Sequence, residues 1–175
     1  TTRRALRWAE AVFVPSQAVA DDVQKFYSNI QAKIVVIPHG PLHLAPSGES
    51  PIEGDYLLFV GRLEAKKNVV RLVDAWQEVR SKFPDLQLVL AGRASAEWKP
   101  VKGVVELGFC DEATLHALLK NARALVLPSL DEGFGFPLLQ AFEAACPVLC
   151  SDIPALREVG GDAVLSFDPL STQSI

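Results

Sequence analysis

Read for polarity, the chain alternates between short runs that are apolar at nearly every position and longer stretches where apolar residues recur every three or four positions. The short runs are Ala11 to Ser16 (AVFVPS), Lys33 to Gly40 (KIVVIPHG), Tyr56 to Gly61 (YLLFVG) and Leu86 to Gly92 (LQLVLAG). They continue with Val104 to Gly108, Ala124 to Ser129, Pro147 to Ser151 and Ala163 to Phe167. Each is short, bounded by Gly, Pro or Ser, and rich in Val and Leu, which predicts strands. Between them, Gln17 to Tyr27 reads as a helix with Ser16 as its cap. Asn68 to Lys82 places Val69, Leu72, Val73, Trp76 and Val79 on one helical face, and Asp111 to Asn121 opens on its own capping acid. Phe136 to Ala145 is a further helix, with Pro137 in the first turn, where no amide is lost.

Strands that are apolar on both faces and alternate with helices predict a parallel sheet covered on both sides. The fold class is therefore α/β, a Rossmann-like layered domain built from right-handed crossovers. The Pro-, Ser- and Gly-rich stretch from Pro41 to Gly54 is the best candidate for a linker or domain boundary. The chain begins Thr1-Thr2-Arg3 and contains no methionine, so it reads as a piece of a longer protein.

Composition narrows the function classes. Hydrophobic residues are 49% of the chain and charged residues 22%, ordinary for a globular domain. A net charge of -4 argues against a dedicated nucleic-acid binder, and no apolar run is long enough for a membrane span. Cys110, Cys146 and Cys150 have no Cys-x-x-Cys spacing, and His39, His43 and His116 lie far from them in the chain. That pattern predicts free thiols in a reducing compartment rather than a metal site.

Two segments carry candidate chemistry. In FVGRLEAKKN, a strand ends at Gly61 and a helix starts near Asn68, with Arg62, Lys66 and Lys67 between them. Cations beside a helix N-terminus at the C-terminal edge of a parallel sheet suit a phosphate or diphosphate, although a solvated basic loop is the ordinary reading of the same residues. In PSLDEGFGFPLLQAFE, Asp131 and Glu132 precede a turn in which Gly133 and Gly135 permit positive φ. The amides of Gly135, Phe136 and Leu138 are expected to face the crevice and meet an anion. Glu132 would repel a phosphate, so it fits sugar hydroxyls beside one; helix capping is the ordinary alternative. No Gly-x-Gly-x-x-Gly, P-loop, Gly-x-Ser-x-Gly or His-Glu-x-x-His pattern occurs.

Taken together, VGRLEAKKN, LVLAG, VVELGFCDEATLHALLKNARALVLPSLDEGFGFPLLQAF and PVLCSDIPALREVGGDAVLSFDP resemble, in order and spacing, the C-terminal domain of GT-B fold retaining glycosyltransferases of group 1, family GT4. The resemblance implies a donor-binding domain that takes a nucleotide-diphosphate sugar. A further N-terminal domain would hold a glycan or lipid-linked acceptor. It implies hexose transfer with retention, no metal or other cofactor, and a cytoplasmic location, extending to the inner face of the membrane. GDP-mannose and UDP-glucose are the two donors it suggests. Carried over by position, Arg62 and Lys67 match the basic pair on the diphosphate, and Glu132 the acid on the transferred sugar. Gly61 closes the strand before that basic pair. Gly133, Phe134, Gly135, Phe136, Pro137 and Leu138 form the turn at the phosphates, and Gly108 and Phe109 the loop near the base. Residues 1–45 would be the end of the other domain and the hinge, with Ser16 and Pro38-His39-Gly40 at that boundary, and 46–175 the donor domain. Two positions depart from the pattern: Gln140 stands where a second acid would meet the ribose, with Glu143 one turn on, and Ala145 where a glycine is usual. A non-catalytic nucleotide-sugar-binding module and a GT-B-fold epimerase are the alternatives.

Overall fold

The computed structural model describes residues 2–27, 30–40 and 45–175, apart from the side chains of residues 2, 3 and 7. It opens with helix α1 (Thr2–Trp8), strand β1 (Ala11–Val14), helix α2 (Gln17–Phe26) and strand β2 (Lys33–Val36). β1 and β2 pair in parallel, from Ala11 opposite Lys33 to Val14 opposite Val36, as a sheet of their own. Ser16 caps α2 as expected, accepting a hydrogen bond from the Val19 amide at 3.2 Å. The first four residues of the expected linker, 41–44, lie outside the described residues. From Ala45 on the linker packs down: the His116 ring donates to the Ala45 carbonyl at 2.7 Å.

The remaining strands are β3 (Tyr56–Val60), β4 (Gln87–Ala91), β5 (Val105–Gly108), β6 (Ala124–Leu127), β7 (Val148–Ser151) and β8 (Leu165–Phe167). They form one six-stranded sheet in the order β5-β4-β3-β6-β7-β8, every neighbouring pair parallel. The sheet grows outward from β3 on one side, then returns to β3 and grows on the other. Loops after β3 and β6 therefore leave in opposite directions, and a crevice opens between them at the carboxyl ends of the strands.

Alternation along the strands sorts the core into two faces. Tyr56 and Leu58 of β3, Val89 of β4, and Leu125 and Leu127 of β6 point to one side. There they meet Leu118 and Leu119 of helix α4 (Glu112–Asn121), Leu138 and Ala141 of helix α5 (Phe136–Glu143), and Leu156 of helix α6 (Pro154–Gly160). Phe59, Leu88, Leu90 and Val126 point to the other side, against Leu72, Val73 and Trp76 of helix α3 (Val69–Val79). α3 ends three residues earlier than its apolar pattern predicts, and Val79 is only half-buried. α4 is capped by Asp111, which accepts from the Thr114 amide at 2.8 Å. Cys146 and Cys150 are buried free thiols within this core, and burial, with Asp152 adding to it, pushes the Cys150 thiol up to about 11. Cys110 is also free but only half-buried.

α1 and α6 are additions to the predicted elements. α6 starts on Pro154, and its Glu158 reaches across to α2, where its two carboxylate oxygens accept from the amides of Gln17 at 2.8 Å and Ala18 at 3.1 Å. These two amides are among those a helix start leaves without intrahelical partners.

The departure at Ala145 has a definite physical form. α5 ends in two bonds that turn the chain back, from Cys146 to the Ala141 carbonyl at 2.8 Å and from Ala145 to the Phe142 carbonyl at 3.1 Å. That pattern requires a left-handed residue after the helix, and Ala145 has φ 53°. A β-carbon in that region costs about 1 kcal/mol relative to glycine. Ala145→Gly is therefore expected to raise the thermal midpoint by about 2 to 4 °C, read by calorimetry or circular dichroism.

Candidate functional site

Three strand ends meet at the crevice on glycines. The Gly61 amide donates to the Ala91 carbonyl at 2.9 Å, and the Gly92 amide to the Gly108 carbonyl at 2.7 Å. At Gly92 the backbones approach so closely that a β-carbon would sit 1.8 Å from the Gly61 carbonyl oxygen. Only glycine fits there, and the sequence carries that signal as the last residue of the LQLVLAG strand.

Beyond Gly61 the chain runs through Arg62 and Glu64 into a 3-10 turn, Ala65–Lys67, and reaches Asn68 in the left-handed conformation at φ 57°. Asn68 is 8% exposed, and its side-chain amide donates to the carbonyls of Pro128 at 3.0 Å and Pro169 at 2.8 Å. Arg71 donates to the Asn68 side-chain oxygen at 2.8 Å and to Pro169 at 3.0 Å. The loop after β6 is bound to the loop after β3 a second time, by the Leu130 amide on the Lys66 carbonyl at 2.9 Å.

These ties bring Lys67 and Glu132 together. Lys67 Nζ donates to Glu132 Oε1 at 2.5 Å, and Ser129 Oγ donates to the same oxygen at 2.7 Å. The two charged side chains are 16% and 11% exposed. Glu132 Oε2 has no hydrogen-bond donor among the described residues, so it is the oxygen open to a ligand. Arg62 behaves differently. Its side chain is 72% exposed, with Nε 3.7 Å from Glu64 Oε2, and Glu64 also attracts Lys66 at 3.9 Å. The two residues of the expected basic pair are therefore unlike each other: Lys67 is fixed against an acid and Arg62 reaches into solvent.

The turn before α5 differs from expectation at two residues. Gly135 is left-handed at φ 97°, and a β-carbon on it would lie 2.6 Å from Leu156 Cδ2. Gly133 is not left-handed; it takes an ordinary negative φ, and a β-carbon there would meet only Val19 at 3.6 Å. The Leu138 amide is not free, because it donates to the Gly135 carbonyl at 2.9 Å as the helix closes its first turn. The Gly135 and Phe136 amides have no acceptor among the described residues, so of the three expected amides these two are open. Phe134 is buried and Phe136 is 44% exposed. Pro137 occupies the first turn of α5, as its fixed φ suits.

On the far side of the crevice Phe109 is 70% exposed, with the Arg93 guanidinium 5.2 Å from its ring centre. Such a pair offers a flat, cationic surface on which an aromatic base can stack. Gly108, left-handed at φ 69°, turns the chain to present it. Gln140 lies one turn along α5 from Phe136, half-buried, and its side chain makes no hydrogen bond among the described residues. Sequence reasoning missed Asn68, Ser129, Gly92 and Arg93. Ser129 sits at the end of a predicted strand and is fully buried, which the run ALVLPS hints at only by continuing past its proline.

Because Glu132 is nearly buried, removing its cation leaves a charge without compensation. Lys67→Met is expected to cost roughly 3 kcal/mol, and the double change Lys67→Met with Glu132→Gln less, measured by urea denaturation.

Known proteins resemble this chain in sequence and in fold. The family model described as glycosyl transferases group 1 matches residues 43–175. The O-antigen chain mannosyltransferase B of Escherichia coli is 37% identical over 69% of this chain and 34% of its own length. The glycogen synthase of Mycobacterium tuberculosis is 30% identical over 94% of this chain and 43% of its own. Among solved structures, sucrose-phosphate synthase from Thermosynechococcus elongatus aligns with a TM-score of 0.75 at 19% identity, over 99% of this chain and 49% of that one. Anabaena HepE, in complex with UDP and glucose, aligns at 0.72 and 18% identity, over 97% and 52%. The chain thus spans between about a third and a half of the length of the curated relatives named here. The Rossmann-like fold is common to all of these structures, and the chain belongs to the glycosyl transferases group 1 family.

Proposed function

We propose that this chain is the donor-binding half of a hexosyltransferase that uses a nucleotide-diphosphate sugar and retains configuration at the transferred carbon. The observation that carries the proposal is the meeting, at the switch point of a parallel sheet, of Lys67, Glu132 and the open amides of Gly135 and Phe136. In this reading the diphosphate lies against those amides, with Lys67 beneath it and Arg62 swinging in from solvent. Glu132 accepts from the sugar hydroxyls through Oε2. The base rests near Gly108 and Phe109, and Gln140 faces the ribose.

The chemistry asked of the protein is charge stabilisation. As the glycosidic bond to the diphosphate breaks, negative charge grows on the leaving oxygen. Cations and amides fixed beforehand stabilise it without reorganising. The acceptor hydroxyl approaches on the same face, so no protein nucleophile is needed. Two cations and a helix start supply the positive charge that a metal provides elsewhere, and the proposal is therefore metal-independent.

The acceptor side belongs, in this proposal, to another domain, of which residues 1–45 are the end together with the hinge. Supporting this, β1 and β2 form a sheet apart, and Trp8 at the end of α1 and Phe13 on β1 are 84% and 66% exposed. Parallel strands are normally covered on both faces, so such residues suit contact with further structure. The acceptor would be a glycan or a lipid-linked glycan, as the O-antigen relative suggests, and the donor GDP-mannose or UDP-glucose. The proposed location is cytoplasmic, extending to the inner membrane face; no helix among the described residues is long and apolar enough to cross a membrane. A second reading, a binding module without transfer, is favoured by one observation: Gln140 carries no charge toward the ribose.

Titration calorimetry with UDP, GDP and their sugar conjugates, followed by a transfer assay, both on the whole gene product, tests the proposal. Binding of one nucleotide at micromolar to low millimolar concentration, unchanged by a chelator, is expected. Arg62→Ala should lower transfer on the order of a hundredfold. No binding by a folded protein at millimolar concentration overturns it. Gln140→Glu is expected to tighten nucleotide binding about fivefold, as a charged acceptor replaces a neutral one. Binding with no transfer in either form would favour the module.

A further inference from the structure

Two residues from outside the six-stranded sheet grip the turn that carries the open amides. Ser16, fully buried, donates from Oγ to the Gly133 carbonyl at 2.6 Å while it caps α2. His39 stacks its ring against both phenylalanines of the turn. Its centre is 4.9 Å from that of Phe134, edge-on, and 4.4 Å from that of Phe136, tilted by 37°. The two phenylalanine rings are themselves 5.8 Å apart. His39 thus bridges the residues on either side of Gly135, which is left-handed and whose amide, like that of Phe136, has no acceptor among the described residues.

We propose that His39 is a positioning residue of the donor site: its ring, set against Phe134 and Phe136, holds the Gly133-to-Phe136 turn in the shape that presents the Gly135 and Phe136 amides to a diphosphate. The inference rests on the donor-site reading above and extends the site to the segment before residue 41.

The surroundings argue for this role over simple packing. His39 is itself exposed and Phe136 is 44% exposed, so of the three rings only Phe134 is buried and the stack lies at the surface. Phe136 supplies one of the two open amides, and on a free turn its exposed ring would rotate with its backbone. Fixing the ring fixes the peptide plane, and a turn shaped before the ligand arrives binds it more tightly than one that must be ordered on binding. A flat ring is what the contact demands; the nitrogen atoms of His39 are not needed for it.

The test measures UDP and GDP affinity by calorimetry on the whole gene product, for the parent, His39→Ala and His39→Phe, with thermal midpoints alongside. His39→Ala should weaken the bound nucleotide roughly tenfold by loosening the turn, while its thermal midpoint stays within about 2 °C of the parent. His39→Phe, which keeps a flat ring, should restore affinity to within about twofold. His39→Ala binding as tightly as the parent overturns the proposal. So does His39→Phe binding as weakly as His39→Ala, which would give the role to a ring nitrogen. An affinity loss that tracks a fall in thermal midpoint of more than about 5 °C assigns the ring to stability alone and also overturns it. A parent that binds neither UDP nor GDP overturns the donor-site reading itself, and the variants then have no site to position.

Discussion

The side chain of Asn68 holds the crevice together. It leaves a left-handed residue at the start of α3 and donates to carbonyls at the ends of two other segments, Pro128 after β6 and Pro169 after β8. Parallel strands hold one another edge to edge, but nothing in that ladder fixes the loops that leave their carboxyl ends. Asn68 supplies the fixation, by pulling the loops after β3, β6 and β8 onto one buried amide. The left-handed backbone is what aims that amide inward, and asparagine tolerates the conformation better than other residues with a β-carbon. With Asn68 fixed, Lys67 immediately before it has a defined direction, and that direction leads to Glu132. Asn68→Ala would leave the buried Pro128 carbonyl without its donor and the Pro169 carbonyl with Arg71 alone, and Asn68→Gly would keep the backbone while losing the same bonds.

The acid and the base of the site restrain each other. Glu132 Oε1 is occupied by Lys67 and Ser129, which leaves Oε2 as the oxygen that can meet a ligand. A carboxylate so placed is held in one orientation, and its neighbour cation offsets the field with which a free acid would repel an anion. Arg62 has no such restraint. It reaches into solvent beside Glu64, and in the proposed function it swings onto the diphosphate. One cation held against an acid and one left exposed suit, in the proposed function, a bound diphosphate and the charge that develops on it.

Much of the fold was legible in the sequence, and the reason is local. Unbroken apolar strands such as Leu86 to Gly92 and caps such as Ser16 and Asp111 express their structure within a few residues. Helices α1 and α6 were not legible, because seven residues give too little periodicity to count. In the site, the turn at Gly135 and Phe136 was readable from glycine and proline chemistry. Gly133 was not, since a glycine permits a positive φ without requiring one. The Lys67–Glu132 contact joins residues 65 apart through two loops, and only the strand order, invisible in the sequence, brings them together. Asn68 and His39 act through partners distant in sequence, so no local pattern announces them, whereas Ser129 meets Glu132 only three residues on.

Glu158 has a consequence for the order in which the molecule is built. Its carboxylate satisfies the first amides of α2 from 141 and 140 residues further along the chain. A chain emerging from synthesis therefore makes α2 long before it makes the group that finishes its start. Until α6 docks, those amides have only water, and Ser16 has no Gly133 to bind. Contacts of such separation form late, because the whole intervening loop must first be closed. The start of α2 is thus completed late in assembly, at a seam that lies beside the turn where the open amides wait.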